Sequence, residues 1–184
     1  MISDLMGKLL ELLKEAVPKI HRVAILTDAT FPGIQLATAE VIDAAARAGV
    51  QAENFDVRSP SDFDGAFAAM GRQGVGGIVT AGSPMFSANR ARIAELATKG
   101  RLPMVSPAAA YARAGLLLGY GPIAGNLAWR AAYFVDRILK GTKPADLPVE
   151  QPRKFELAIN LKTAKTLGLT VPQSLLVRAD ELIQ

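Results

Sequence analysis

The sequence predicts an α/β protein built on a doubly wound parallel sheet, and three observations carry that expectation. Short, unbroken apolar runs recur along the chain, each bounded by turn residues. Between them lie longer stretches whose apolar positions repeat at helical spacing. The alternation continues without interruption to about Gly141. A strand that is apolar throughout is buried on both faces, and the helix after it is the right-handed crossover that parallel pairing needs.

The first element is an amphipathic helix. Leu5, Leu9, Leu12, Leu13 and Ala16 share one face, Ser3 or Asp4 can cap it, and Pro18 stops it. A core strand follows in HRVAILTD, from about Arg22 to Thr27, and then FPGIQLATAEVIDAAARAG reads as a helix ended by Gly49. QAENFDV is a second strand and SDFDGAFAAMGRQG a helix capped by Ser61 or Asp62. VGGIVTAGS gives a third strand, PMFSANRARIAELATKG a helix, LPMVSP a fourth strand, AAAYARAG a short helix and LLLGYG a fifth strand. PIAGNLAWRAAYFVDRILKG is the longest helix, with Trp129 read as core or interface. About five parallel strands are therefore expected within a Rossmann-like lobe over residues 1–141. Residues 142–184 form a second unit. GTKPADLPVEQPRK reads as an extended connection, FELAINLK as an alternating strand, and two short helical pieces surround 162–168 and 172–183.

Composition narrows the chemistry. A length of 184 residues fits one domain, and a hydrophobic share of 50% with 21% charged residues provides a large core. The chain has no cysteine and a single histidine, His21, which removes thiolate chemistry and leaves little for a zinc site. The net charge of +4 is not gathered into a stripe: from Arg137 to Gln184, eight basic residues interleave with five acidic ones. With aromatics at only 6%, bases would find few stacking platforms, so no nucleic-acid partner is expected. No apolar run reaches the roughly 20 residues needed to span a bilayer, so no membrane insertion is expected. The N-terminus mixes Asp4, Lys8, Glu11, Lys14 and Glu15 into its apolar stretch, unlike an export signal; the chain as given is expected to be cytoplasmic if complete.

In an open parallel sheet, ligands sit outside the carboxyl ends of the strands. That edge selects the loops containing Thr27 to Phe31, Ser83 to Ser87, Ser106-Pro107 and Tyr120 to Pro122. Each mixes a hydroxyl or carboxylate with an aromatic or a helix-starting proline, the lining a small molecule needs. Each such residue has an ordinary structural reading too, as an N-cap or a helix starter. Asp28 is the best carboxylate for a charged ligand group such as an amine, and Phe31, Met85, Phe86 and Tyr120 can form an apolar wall. His21 precedes the first core strand, at the opposite end of the sheet, so no serine triad can be assembled. Ala81-Gly82-Ser83-Pro84-Met85 lacks the second glycine of a nucleophile elbow. Gly119-Tyr120-Gly121-Pro122-Ile123-Ala124-Gly125 misses the dinucleotide spacing by one residue, and no cofactor is expected.

Three stretches carry a family resemblance: GKLLELLKEAVPKIHRVAILTD, AGSPMFSANRARIAELATKGRLP with the following LLLGYGP, and the run from Asp136 to Ile183. The sequence resembles the second half of ABC-transporter substrate-binding proteins of the type I periplasmic class, the group with tryptophan- and tyrosine-binding members. The resemblance implies a single lobe of a clamshell receptor that binds a small molecule without chemistry and hands it to an ABC permease, with a periplasmic location. It places ligand contacts at Asp28, Phe31, Ser83, Met85, Phe86, Ser106 and Tyr120. Where relatives tend to have asparagine after the first strand, this chain has Thr27-Asp28, and Ser106 to Ala110 is less polar than the usual turn, so the ligand stays open.

In that family FELAINLK joins the sheet region of the first lobe. Phe155, Leu157, Ile159 and Leu161 are then expected to lack a partner, and a homodimer is expected to shield them. Two alternatives accompany this reading. One is a cytoplasmic sensing or dimerising module that reuses the lobe. The other is an enzyme on a flavodoxin-like sheet, which requires Asp28 and Ser83 to converge around an enclosed pocket.

Overall fold

The computed structural model describes residues 2–184, with side chains from residue 5 onward. The expected cap at Ser3 or Asp4 lies outside the described side chains. In chain order the elements are α1 (Ile2–Ala16), β1 (Arg22–Asp28), α2 (Ile34–Arg47), β2 (Gln51–Val57), α3 (Phe63–Arg72), β3 (Gly77–Thr80), α4 (Pro84–Ala88) and α5 (Arg90–Lys99). They continue with β4 (Met104–Ser106), α6 (Ala109–Arg113), β5 (Leu118–Pro122), α7 (Ala124–Leu139), β6 (Phe155–Asn160), α8 (Leu161–Thr166), α9 (Gln173–Arg178) and β7 (Glu181–Ile183). The helix expected after β3 divides at Asn89, whose side-chain amide donates to the Met85 carbonyl at 2.8 Å.

The strands form one sheet in the order β2-β1-β3-β4-β5-β6-β7. The first five run parallel to one another, as the apolar runs predict; β6 pairs antiparallel with β5, and β7 runs parallel to β6, so these two strands are reversed. Alternate side chains feed two cores. Val23, Ile25, Val79, Val105 and Leu118 join the layer under α1 and α2. Ala24, Leu26, Ile78 and Met104 join the layer under α3 and α5. This is the period-2 signature of a strand buried on both sides.

The leucine stripe of α1 lies across β3, β4 and β5, beside α2 and α9. Its Met6, Leu9, Leu10, Leu12 and Leu13 are buried. Covering four leucines and a methionine contributes about 1.5–3 kcal/mol each.

Two expectations are corrected. FELAINLK is not an unpaired strand: β6 runs between β5 and β7, and Leu157 and Ile159 are buried in the core under α1. Its own lobe supplies what a dimer partner was expected to supply, so this strand exerts no pressure toward a homodimer. Residues 155–183 thus continue the sheet begun by β1. The second correction concerns α7. None of its residues is buried, and Trp129 is 80% exposed, so it is not core. Both departures share a cause. The chain leaves the carboxyl end of β5, makes its excursion through α7 and residues 140–154 outside the body, and returns at the same end, where Ile123 N–H donates to Lys154 O at 3.2 Å. A strand that re-enters where its neighbour ended has to run antiparallel to it.

Polar groups fix this return. Asn160 donates to Ala112 O at 2.9 Å and accepts from Thr163 N–H, while Thr163 Oγ1 donates to Gly115 O. Arg113 spans Glu156 and Glu181 at the surface, where solvent limits its worth to under about 1 kcal/mol per pair.

Close backbone approach decides one further point. A Cβ on Gly121 would lie 1.9 Å from Pro107 O, whereas one on Gly65 in α3 would meet nothing within 4 Å. Gly121→Ala is therefore expected to lower unfolding stability by about 3 kcal/mol, the upper end of overpacking costs. Gly65→Ala should raise it by up to about 1 kcal/mol through helix propensity. Urea denaturation of the two variants tests the contrast; equal behaviour would refute the account of the β4–β5 contact.

Candidate functional site

The carboxyl ends of β1, β3, β4 and β5 form one continuous rim, because each loop touches the next. Asp28, the last residue of β1, accepts from Thr30 N–H at 3.0 Å and from the Thr30 hydroxyl at 2.6 Å. The Ser83 hydroxyl, from the β3 loop, also donates to it. Ser83 in turn caps α4 by accepting the Phe86 N–H at 3.1 Å. Gly82 lets the same loop lie against the next one: a Cβ there would sit 2.8 Å from Pro107 Cγ, and its φ of +70° suits glycine. Pro107 then rests on the β5 backbone at Gly121, and Ala108 on Gly119. The Gly-Tyr-Gly of β5, which fails as a dinucleotide motif, is thus the floor that admits the β4 loop.

Burial pushes the Asp28 carboxyl up, but hydrogen bonds from the Thr30 hydroxyl, the Ser83 hydroxyl and the Thr30 N–H outweigh it, holding the group below the usual aspartate range. Asp28 is 3% exposed, so the rim has an ionised carboxylate at its base. Three donors leave one of the roughly four acceptor positions of a carboxylate unused. Asp28 and Ser83 do converge, as the enzyme alternative required. A carboxyl held that low is a weak base, and the Ser83 hydroxyl is already engaged as donor and acceptor, so the pair is not a poised nucleophile. His21 is exposed beside the amino end of β1, far along the sheet from this rim.

The seven residues expected at the site separate into three groups. Asp28 and Ser83 meet at the base. Phe31, Met85 and Tyr120 each expose part of their surface around it, Phe31 the most, at 41%. Phe86 and Ser106 differ from the expectation in that both are fully buried and expose no surface on the rim. Phe86 is 0% exposed and packs on Phe63, with ring centroids 6.0 Å apart. It sits on the inward face of α4, so the apolar residue next to a wall position belongs to the core. Ser106 is fully buried and donates to Ala108 O at 3.2 Å, tying down its own loop.

Other rim residues carry no clear signal in the sequence. Phe155 stacks on Tyr120 at 5.6 Å, a contact that depends on the antiparallel return of β6. On the β2 side, Thr27 donates to Asn54 Oδ1 at 2.9 Å and Asn54 donates to Asp56 at 2.8 Å, so a small polar cluster flanks the base. The alternating polar residues of QAENFDV could have indicated it, since an edge strand keeps one polar row.

The family described as ABC transporter substrate binding protein matches over residues 3–183. No curated protein matches the chain in sequence. Among solved structures, an ABC domain in complex with L-Trp from Streptococcus pneumoniae superposes with a TM-score of 0.88 at 24% identity, covering 97% of this chain and 62% of that one. A conserved domain protein from Vibrio cholerae gives a TM-score of 0.89 at 21% identity, covering 96% and 60%. A solute-binding protein from Agrobacterium vitis bound to α-D-tagatopyranose gives 0.65 at 11% identity, again covering 96% and 60%. The chain therefore spans about three-fifths of the length of these proteins, and at such identities the likeness shows the fold. The match over nearly every residue, on a parallel sheet with a ligand-type rim, shows that this chain belongs to the ABC transporter substrate-binding protein family.

Proposed function

We propose that the chain is a solute-gripping half of an ABC import receptor, and that its rim holds a small molecule with an ammonium group and an apolar or aromatic body. The observation that carries this reading is the ionised Asp28 at the base of a rim edged by Phe31, Met85 and Tyr120. A buried carboxylate favours a cation of matching size, and half-exposed aromatic and thioether side chains favour an apolar body. The L-Trp held by the Streptococcus pneumoniae protein supports an amino-acid ligand. The tagatose held by the Agrobacterium vitis protein is a neutral polyol, whose hydroxyls can donate to a carboxylate but bring no charge to it, whereas an ammonium brings both a donor and a charge.

The site binds and releases rather than reacts, so its work is differential affinity between free and docked states. In this reading a membrane permease receives the solute, and the protein acts outside the cytoplasmic membrane. No helix among the described residues is long and apolar enough to cross a membrane. A rim open on one side leaves much of a ligand in water, which predicts a dissociation constant near the millimolar range, about −4 kcal/mol.

Titration calorimetry tests this with three probes. L-tryptophan is expected to bind weakly, indole-3-propionate, which lacks the ammonium group, about tenfold more weakly, and tagatose not at all, a tenfold step being about 1.4 kcal/mol. Asp28→Asn should cost L-tryptophan a similar factor. Preferential binding of tagatose, or an unchanged affinity in the variant, would overturn the proposal.

The same carboxyl sets a pH dependence of folding. Its folded pKa lies below the unfolded value, so its contribution is complete above about pH 4 and is lost as pH falls through the lower, folded pKa. Acid unfolding followed by circular dichroism should therefore show a shallower stability loss below pH 4 in Asp28→Asn. At neutral pH that variant should be less stable than the parent by about 1–2 kcal/mol, the worth of hydrogen bonds to a charged group.

A further inference from the structure

Basic and acidic residues that interleave along the sequence are sorted by the fold. Three helices that return to the amino ends of the parallel strands finish on an exposed base: Arg47 closes α2, Arg72 closes α3 and Lys99 closes α5. The connections there add Lys19 before β1 and Arg101 before β4. Because β6 runs the other way, α8 brings Lys162 and Lys165 to the same end. These loops lie side by side. Gln51 N–H donates to His21 O at 2.9 Å, Gly76 N–H to Arg22 O at 2.9 Å, Ile78 N–H to Pro103 O at 2.8 Å and Asn160 N–H to Leu117 O at 2.9 Å. With neighbouring strands about 4.8 Å apart, the face from β2 to β6 is roughly 24 Å long.

None of these seven side chains forms an ion pair among the described residues. The acids nearby are already paired: Glu53 with Arg22, Glu95 with Arg92, Glu181 with Arg113 and Glu15 with Arg178. Asp43, one turn before Arg47, forms no such pair. Seven bases against one acid exceed the +4 of the whole chain, so the remainder of the chain is net acidic. The charge is therefore concentrated at the end of the sheet opposite the rim.

We propose that this amino-end face docks on an anionic lipid bilayer. Two features select a charged plane over a nucleic acid. The face is built largely from helix carboxyl ends, whose outward carbonyls repel an anion at close range, so only the long Lys and Arg side chains reaching past them attract it. Nucleic-acid phosphates are gripped by the opposite arrangement, helix N-termini and backbone N–H groups. The helix that begins here, α8, has its Thr163 N–H taken by Asn160. Secondly, the exposed aromatics Phe31, Trp129 and Tyr133 lie on the rim and on α7, so bases find no platform among these cations. A plane of anionic headgroups needs neither a grip nor a platform, and each Lys or Arg near it adds about fivefold in affinity. Docking is independent of what the rim binds, since the rim lies at the other end of the strands and stays turned toward solvent.

Co-sedimentation with lipid vesicles tests the assignment. At about 0.1 M salt the protein is expected to bind vesicles of phosphatidylcholine and phosphatidylglycerol in equal parts, and at about 1 M, where the Debye length shrinks to about 3 Å, to be released. Vesicles of phosphatidylcholine alone should not retain it. Arg72→Gln with Lys99→Gln is expected to weaken binding about 25-fold, two charges at about fivefold each. Arg47→Gln with Lys165→Gln, a second pair on the same face, should do the same. Arg58→Gln with Lys143→Gln removes equal charge from the rim end and from the arm formed by α7 and residues 140–154. Those positions lie beyond a Debye length of about 10 Å from the lipid, so this pair should change binding by less than about twofold. All six positions are exposed, and circular dichroism should match the parent. A mixed-sequence DNA duplex should bind more weakly than the anionic vesicles at the same salt. The proposal is overturned by no retention on anionic vesicles, by equal retention on phosphatidylcholine, by equal losses from face and control pairs, or by tighter binding to DNA.

Discussion

The placement of α1 against β3, β4 and β5 is the constraint on which the rest of the structure depends. A doubly wound sheet offers two faces, and each stretch of face accepts one layer of helices. Because Met6, Leu9, Leu10, Leu12 and Leu13 occupy the middle of one face, the helix that follows β5 has no seat on its own sheet. The chain is therefore led out through α7 and back to the end of β5 from which it left. The antiparallel β6, the stacked Tyr120 and Phe155, and the exposed apolar arm all follow from that displacement.

The rim depends on a different economy, that of small residues under loops. Gly82, Gly119 and Gly121 remove side chains where neighbouring loops cross, which draws the β3, β4 and β5 turns into contact through Pro107. Asp28 is then buried by its neighbours but repaid with donors, so it remains charged. A buried carboxylate held by hydroxyls and a backbone N–H keeps its charge without taking up a proton. Phe86 illustrates how close the two roles lie in sequence: Met85 reaches the rim, while the next residue, turned by about 100° along the helix, fills the core.

The family's members can therefore share a fold while differing in solute. The parallel strands and their helices set where the rim is, and the residues on four short loops set what it prefers. In this chain the rim brings together one buried carboxylate and the partly exposed Phe31, Met85 and Tyr120, while the backbone crossings behind them fix their positions.

What the sequence alone determined was everything written in local periodicity. The unbroken runs, the helical spacing and the capping residues specify β1 to β5, the helices between them and the edge that carries the rim, because burial on both faces leaves a local record. The rim was legible to the same depth: the loops that meet there were identifiable, as was the placement of Asp28 at the end of β1, but not the direction of Phe86 or the engagement of Ser106, since one residue of helical phase decides between rim and core. Only the tertiary structure decided that FELAINLK is at home in its own sheet and that α7 is not. Both outcomes turn on competition between α1 and α7 for one face of β3 to β5, and two amphipathic helices of similar character carry no local mark of which of them wins it.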